Sequence, residues 1–132
     1  TQPINHVDIA PTTLGLCGIP VPDSMQGTDY SSWRLEGKPP EQVPDSAYLQ
    51  CVISPGHSMG TNKPWRGIVT TDGWKYTCFE GCSWLLFNLN EDPYEFCNLA
   101  HLNKYKSKRN QLQHRLQQWV RDTGDQFDVP ID

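Results

Sequence analysis

The dipeptide Asp72-Gly73 constrains this chain more than any other stretch. It sits between Trp65-Arg66-Gly67-Ile68-Val69-Thr70-Thr71 and Trp74-Lys75-Tyr76-Thr77-Cys78-Phe79. Asp-Gly between two β-branched and aromatic runs is the strongest short-range hairpin signal a sequence offers. A second turn at Glu80-Gly81 leads into Ser83-Trp84-Leu85-Leu86-Phe87-Asn88-Leu89. Two tight turns in succession make an antiparallel meander, and Ala47 to Ile53 supplies one more strand before it. From Asn103 to about Arg121 the period changes. Tyr105, Leu112, Leu116, Trp119 and Val120 fall on one helical stripe, while Lys104, Lys106, Lys108, Arg109, Gln113 and Gln117 fill a wetter face. Gly124 ends that helix. A four-stranded meander with one long amphipathic helix laid across it is an α+β unit, here expected over residues 45–132.

Residues 1–44 read differently. His6 to Pro20 has the signals of a short helix. Asp8 is placed to accept orphan backbone N–H groups at its start, and Pro11 is tolerated in its first turn. Gly18 followed by Pro20 is a stop. Ile9, Leu14, Leu16 and Cys17 are more apolar than a short solvent-washed helix requires, so this helix is expected to lie against something large. The stretch from Pro20 to Pro44 is rich in proline and glycine and has no sustained period, which predicts a long surface connection with little regular structure. Thr1 is not an initiator methionine, and the chain runs almost at once into patterned structure. It is therefore expected to be a piece of a longer protein.

Composition narrows the function. A length of 132 residues suits one compact domain, and a formal net charge of -4 gives no basic field for nucleic acid or an anionic membrane. No apolar run approaches the ~20 residues of a membrane span. The five cysteines are odd in number. Cys78 and Cys82 could close a hairpin disulfide in an oxidising compartment, or join His57 or His101 at zinc, but no Cys-x2-Cys pair is present. Incidental or buried thiols are the preferred reading.

Polar clusters offer further candidates. Asn90-Glu91-Asp92-Pro93-Tyr94-Glu95 follows the most apolar run of the chain. Asp92 and Pro93 are read as a sharp turn, with Glu95 and Asn98 satisfying donors before the last helix and Phe96 and Leu99 facing inward. A metal or acid–base role for these carboxylates is the lesser alternative. Arg66 begins a strand, where a structural ion pair is preferred over substrate contact. Trp65 and Tyr76 are read as sheet-to-helix packing and Lys75 as a rim charge. In the loop Pro55 to Lys63, His57 and Lys63 could pair with an anionic ligand, against the plainer reading of a solvated loop. His101 and His114 read as surface residues.

Three stretches together carry a resemblance. Phe87-Asn88-Leu89 with Asp92-Pro93, Glu95 and Asn98-Leu99 resembles the segment that closes the catalytic chain of type I sulfatases, within the alkaline-phosphatase-like superfamily. His6 to Thr12 with Gly18-Ile19-Pro20 and Gln26-Gly27, and Trp65 to Tyr76, are similar to two other sulfatase stretches in the same order. The resemblance spans residues 5–120. It implies a sulfuric ester hydrolase with a formylglycine nucleophile, a calcium ion on clustered acidic ligands, and a sulfated, carbohydrate-like substrate. It also implies a periplasmic, secreted or lysosomal setting. The formylglycine motif, Cys or Ser-x-Pro-x-Arg, is absent from this sequence. The chain is therefore expected to hold no catalytic residue and no metal ligand. Residues 1–44 are expected to be the edge of an α/β catalytic domain whose remainder is missing and acts as partner, and 45–132 a carboxy-terminal subdomain. Within the resemblance Asp8, Pro11, Asp92, Pro93, Glu95 and Asn98 are structural motif residues, and His57, Lys63 and Arg66 are candidates for substrate contact. Asn88 stands where the family more often has aspartate, and Cys97 where a polar or aliphatic residue is usual.

Two rival readings remain open from sequence: the tail of a related phosphodiesterase of the same superfamily, and a non-catalytic module that binds sulfated glycans.

Overall fold

The computed structural model describes residues 2–52, 61 and 63–131. In chain order its elements are α1 (Ile9–Leu16), α2 (Ser31–Leu35), β1 (Ser46–Cys51), β2 (Trp65–Thr70), β3 (Trp74–Phe79), β4 (Cys82–Asn88) and α3 (Lys106–Asp122). Two compact units form, residues 2–47 and 48–132.

The meander is realised as a four-stranded sheet in the order β1-β2-β3-β4. Ile68 faces Tyr76 across β2 and β3, and Tyr76 faces Leu86 across β3 and β4. The first hairpin turns through Thr71-Asp72-Gly73. The Gly73 N–H donates to Thr70 O at 3.0 Å, and Gly73 takes φ +83°, the left-handed residue that lets a three-residue loop rejoin the strand. A register shift between Thr77 and Cys78 leaves Trp84 as the extra residue of a bulge on β4. Its ring stacks on Phe79 at 4.6 Å and meets the edge of Trp65 at 6.3 Å.

Alternation along the strands sets the core. Ile68, Tyr76, Cys78 and Leu86 join Leu112, Leu116 and Val120 of α3 in one buried cluster. Phe127 and Val129, beyond the helix stop at Gly124, fold into the same cluster. Fully burying a side chain of the Leu116 kind stabilises by about 2 kcal/mol. Tyr76 packs between sheet and helix as its period predicts. Trp65 does not. Arg66 and Ile68 occupy the face paired with Cys78 and Tyr76, so Trp65, one position earlier, lies on the opposite face beside Trp84.

Two polar residues expected on the wet side of α3 are buried. Arg109 and Gln113 precede Leu116 and Val120 at helical spacing and share their stripe. Arg109 Nη1 donates to Ala100 O, and Gln113 Nε2 donates to Ser83 Oγ at 3.1 Å and Tyr76 Oη at 3.3 Å. Position on the helix, not polarity, decides which residues are inside.

In the unit 2–47, a 3-10 turn over His6–Asp8 runs into α1, and Gly18 ends it, with Ile19 N–H donating to Leu14 O at 2.9 Å. The stretch expected to hold little regular structure contains one short helix, α2. The Asp29 carboxylate accepts the Ser31 N–H at 2.7 Å at its start, and Tyr30 stacks on Trp33 at 5.3 Å.

The five cysteines form no disulfide. Cys82 pairs with Phe79, the neighbour of Cys78 in β3, so strand alternation points Cys78 and Cys82 to opposite faces and no hairpin disulfide closes. Burial pushes the Cys78 thiol up to about 12, which makes it inert. No described helix is long and apolar enough to cross a membrane.

Candidate functional site

Arg66 is where sequence and structure meet most directly. The side chain is buried, and each of its guanidinium nitrogens has a partner. Nε and Nη2 donate to Oδ2 and Oδ1 of Asp125, at 2.5 and 3.1 Å, and Nη1 donates to the carbonyls of Cys51 and Trp65, each at 3.1 Å. The Phe127 ring lies 4.8 Å from the guanidinium carbon. Tyr48 Oη donates to Asp125 Oδ2 at 2.7 Å. The hydrogen bond from Arg66 holds the Asp125 carboxyl below the usual carboxylate range. Asp125 in turn raises the Arg66 guanidinium, while burial, followed by the bond to Asp125, raises the Tyr48 hydroxyl. None of these groups changes protonation near neutral pH, so the cluster is a clamp between β2 and the segment after α3 rather than an acid–base pair. Asp125, Tyr48 and Phe127 escaped the sequence reading. The only signal was the alternation of Phe127 and Val129 after the helix stop, which marks an extended segment with one buried side.

Of the other two residues expected near substrate, Lys63 is exposed, just before β2, and His57 lies outside the described residues.

The acidic run after β4 forms a turn in which the fold engages Asp92 and Glu95. Asp92 N–H donates to Asn88 O at 2.8 Å, and Asp92 Oδ2 accepts the Cys97 N–H at 2.8 Å across Pro93. Lys75 Nζ reaches both carboxylate oxygens of Glu95, at 2.7 and 2.8 Å. Glu95 takes φ +59°, among the described residues the only one other than glycine with positive φ, at a cost of about 1 kcal/mol. Asn98 Oδ1 accepts the N–H groups of Leu86 and Ala100, both at 3.0 Å, and its Nδ2 donates to Trp84 O at 2.9 Å. Leu99 N–H adds a bond to Leu86 O at 2.8 Å. Asn88 keeps one carbonyl acceptor, which takes the Asn90 N–H at 3.3 Å. Leu99 packs on the core, but Phe96 does not face inward. The left-handed step at Glu95 turns it out with Tyr94, and the two rings touch at 5.8 Å, 88% and 78% exposed.

Asp8 serves a different helix end from the one its position suggests. It makes no cap bond to α1. Its Oδ2 accepts the Asn5 N–H at 2.6 Å, at the start of the 3-10 turn, and its Oδ1 accepts the Thr28 N–H at 2.8 Å. Thr12 Oγ1 accepts the Tyr30 N–H at 3.1 Å. Gly27 makes this strap possible, because a β-carbon there would stand 2.3 Å from Val7 O. Pro11 is buried in the first turn of α1.

Calcium takes about six to eight oxygen ligands. Among the described residues, no three His, Cys, Asp or Glu side chains gather to hold a metal ion. Asp8, Asp92, Glu95 and Asp125 are each committed to backbone N–H groups or to a cation. The donor set does not fit calcium, and no Cys or Ser stands in the formylglycine motif.

The family model for the carboxy-terminal region of N-sulphoglucosamine sulphohydrolase matches residues 1–122. An ulvan-active sulfatase from Formosa agariphila is 32% identical over 125 residues, covering 95% of this chain and 24% of that protein. A structure solved in complex with its substrate D-glucosamine-2-N,6-O-disulfate superposes with a TM-score of 0.67 at 26% identity, over 86% of this chain and 23% of the other. A 2-O glycosaminoglycan sulfatase shares the fold, with a TM-score of 0.74 at 24% identity over 95% of this chain and 27% of the other. This chain thus spans about a quarter of the length of the proteins it matches. With that family model matching residues 1–122, the chain belongs to the family of sulfatase carboxy-terminal regions.

Proposed function

We propose that this chain supports a larger sulfuric ester hydrolase acting on a sulfated carbohydrate, and that it performs no turnover alone. The observation that carries this reading is the family match over nearly the whole chain, joined to the lack of the formylglycine motif in its sequence. Formylglycine and calcium, which supply the nucleophile and the polarisation of the sulfate in such an enzyme, belong on this reading to the remainder of the protein. The work of this chain is positional. The clamp of Arg66 and Asp125 ties the end of β1 and the start of β2 to the segment after α3, through the Cys51 and Trp65 carbonyls. Lys63, exposed just before β2, presents positive charge to a sulfate or carboxylate group of the sugar.

Sulfate release from a sulfated glucosamine tests the reading, with the full-length protein and the 132-residue chain assayed side by side. Turnover by the former and none by the latter is expected. Metal-dependent hydrolysis by the pure chain overturns it. In the full-length enzyme, Lys63→Ala is expected to raise KM several-fold with kcat nearly unchanged, the mark of a binding contact.

A further inference from the structure

Charge is segregated along this chain. Residues 101–121 carry six of the eleven Lys and Arg residues and no carboxylate, while all fifteen Asp and Glu residues lie elsewhere. A solvated helix ordinarily mixes both signs, because opposite charges three or four residues apart stabilise it. Through Arg121, α3 forgoes such pairs and sets uncharged amides among its cations. Along one flank the same unit occurs twice. Lys108 Nζ lies 5.3 Å from the centre of the Trp74 ring and donates to Gln111 Oε1 at 3.3 Å. Seven residues on, the Arg115 guanidinium carbon lies 5.1 Å from the centre of the Trp119 ring, and Nη1 donates to Gln118 Oε1 at 3.4 Å. Seven residues are two helical turns, so the two cations share a flank about 10 Å apart. Lys104 adds a third cation, 5.2 Å from the Tyr105 ring, which packs on Trp74 at 5.9 Å. Asp122 ends the row.

We infer that this flank of α3 is an accessory binding site for a linear sulfated glycan lying along the helix. The inference deepens the reading of the chain as part of an enzyme acting on sulfated carbohydrate, and it rests on that reading. Each long cationic side chain is held by a ring and an amide, so it loses little freedom when an anion binds. An amide positions a cation without cancelling its charge, where a glutamate at the same spacing would do both. Lys108 also holds Asp72, but Asp72 is 58% exposed, and a surface ion pair contributes little, so a sulfate can take its place. A repeated, widely spaced cation suits a polymer that carries its sulfates at intervals along a single strand. Duplex nucleic acid fits less well, because it presents a charge every ~1.7 Å of its axis and meets repulsion from the acidic remainder of the chain.

Fluorescence anisotropy of a labelled heparin-derived octasaccharide, titrated with the full-length protein at low salt, tests the site. The triple variant K104Q/K108Q/R115Q is expected to bind about tenfold more weakly, with its melting temperature unchanged. Its kcat on a sulfated monosaccharide is expected to match that of the unaltered enzyme, since so short a substrate does not reach the helix. No binding by the unaltered protein, or equal binding by the triple variant, overturns the site; if sulfate is still released, the sulfatase reading stands. Weaker binding by the variant, in a protein that releases no sulfate, supports the site and overturns the sulfatase reading. The variant K106Q/R121Q removes two charges from α3 away from this flank and is expected to change affinity little. A loss there equal to that of the triple variant means attraction by the whole helix and overturns the site. Duplex DNA bound as tightly as the octasaccharide, and through the same three side chains, assigns the flank to nucleic acid and also overturns the inference.

Discussion

The two units of the chain are stabilised in different ways. Residues 48–132 bury a continuous apolar cluster centred on Ile68, Tyr76, Leu86 and Leu116. In residues 2–47 the apolar side chains Ile4, Val7, Ile9, Leu16 and Ile19 stay exposed, and the unit is drawn together by polar ties, Asp8 to Asn5 and Thr28, and Thr12 to Tyr30. Hydrogen bonds of that kind contribute about 1 kcal/mol each, against a few for each buried aliphatic side chain. A core gives a unit stability of its own, whereas a set of ties fixes a shape and leaves most stability to whatever covers the apolar residues.

Mutations can test that contrast, starting with the largest expected effect. Leu116→Ala is expected to cost about 4 kcal/mol in the unfolding of residues 48–132, measured by urea denaturation followed at the tryptophans. A loss below about 1 kcal/mol would show that the cluster collapses around the gap. Asp125→Ala leaves the Arg66 charge buried without its partner and is expected to cost about 3 kcal/mol by the same measurement. The pH dependence follows from the same pair. The Asp125 carboxyl is depressed below its unfolded value of 3.8, so the folded state binds this proton less readily than the unfolded one. Its contribution is fully present above about pH 4 to 5 and is lost as pH falls through the lower folded value. Asp125→Asn is expected to flatten the acid limb of a stability-versus-pH curve. An unchanged limb would assign that dependence to other groups such as Asp72, which its bonds to Lys108 and Thr70 hold low despite partial burial.

Smaller effects sharpen the comparison further. Asn98→Ala removes three hydrogen bonds beside β4 and is expected to cost about 2 kcal/mol, with faster amide exchange at Leu86 and Ala100. Asp8→Ala acts only within residues 2–47. There the amides of Asn5 and Thr28 are expected to exchange about tenfold faster, with the urea midpoint of the larger unit unmoved. A midpoint shift on Asp8→Ala would mean that the two units do not respond independently.

Much of this architecture was legible because it rests on local rules. The strands around Asp72-Gly73 and Glu80-Gly81 declare themselves through turn chemistry and β-propensity, and α3 through the spacing of Leu112, Leu116 and Val120. The reading failed where a residue's type and its position disagree. Gln113 and Arg109 are polar but lie on the core stripe, and Phe96 is apolar but follows a left-handed residue that reverses its direction. Asp125 could not be assigned at all, because its partner Arg66 is 59 residues away and only the closed fold brings the two together. The turn at Asp92 and Pro93 was legible from its chemistry, and Asp92 accepts a backbone N–H across it. What Asn98 does there was not visible, since its partners belong to a strand a dozen residues earlier.

That asparagine has one more consequence. β4 is the last strand of the sheet, and an unpaired strand border is a template on which another extended chain can polymerise. Asn98 answers the Leu86 N–H and the Trp84 carbonyl with its own amide, and Leu99 takes the Leu86 carbonyl. A single side chain thus imitates a neighbouring strand for the length of one residue pair and covers that stretch of the β4 border. An aromatic-rich strand such as Trp84-Leu85-Leu86-Phe87 would otherwise be a seed for amyloid-like growth.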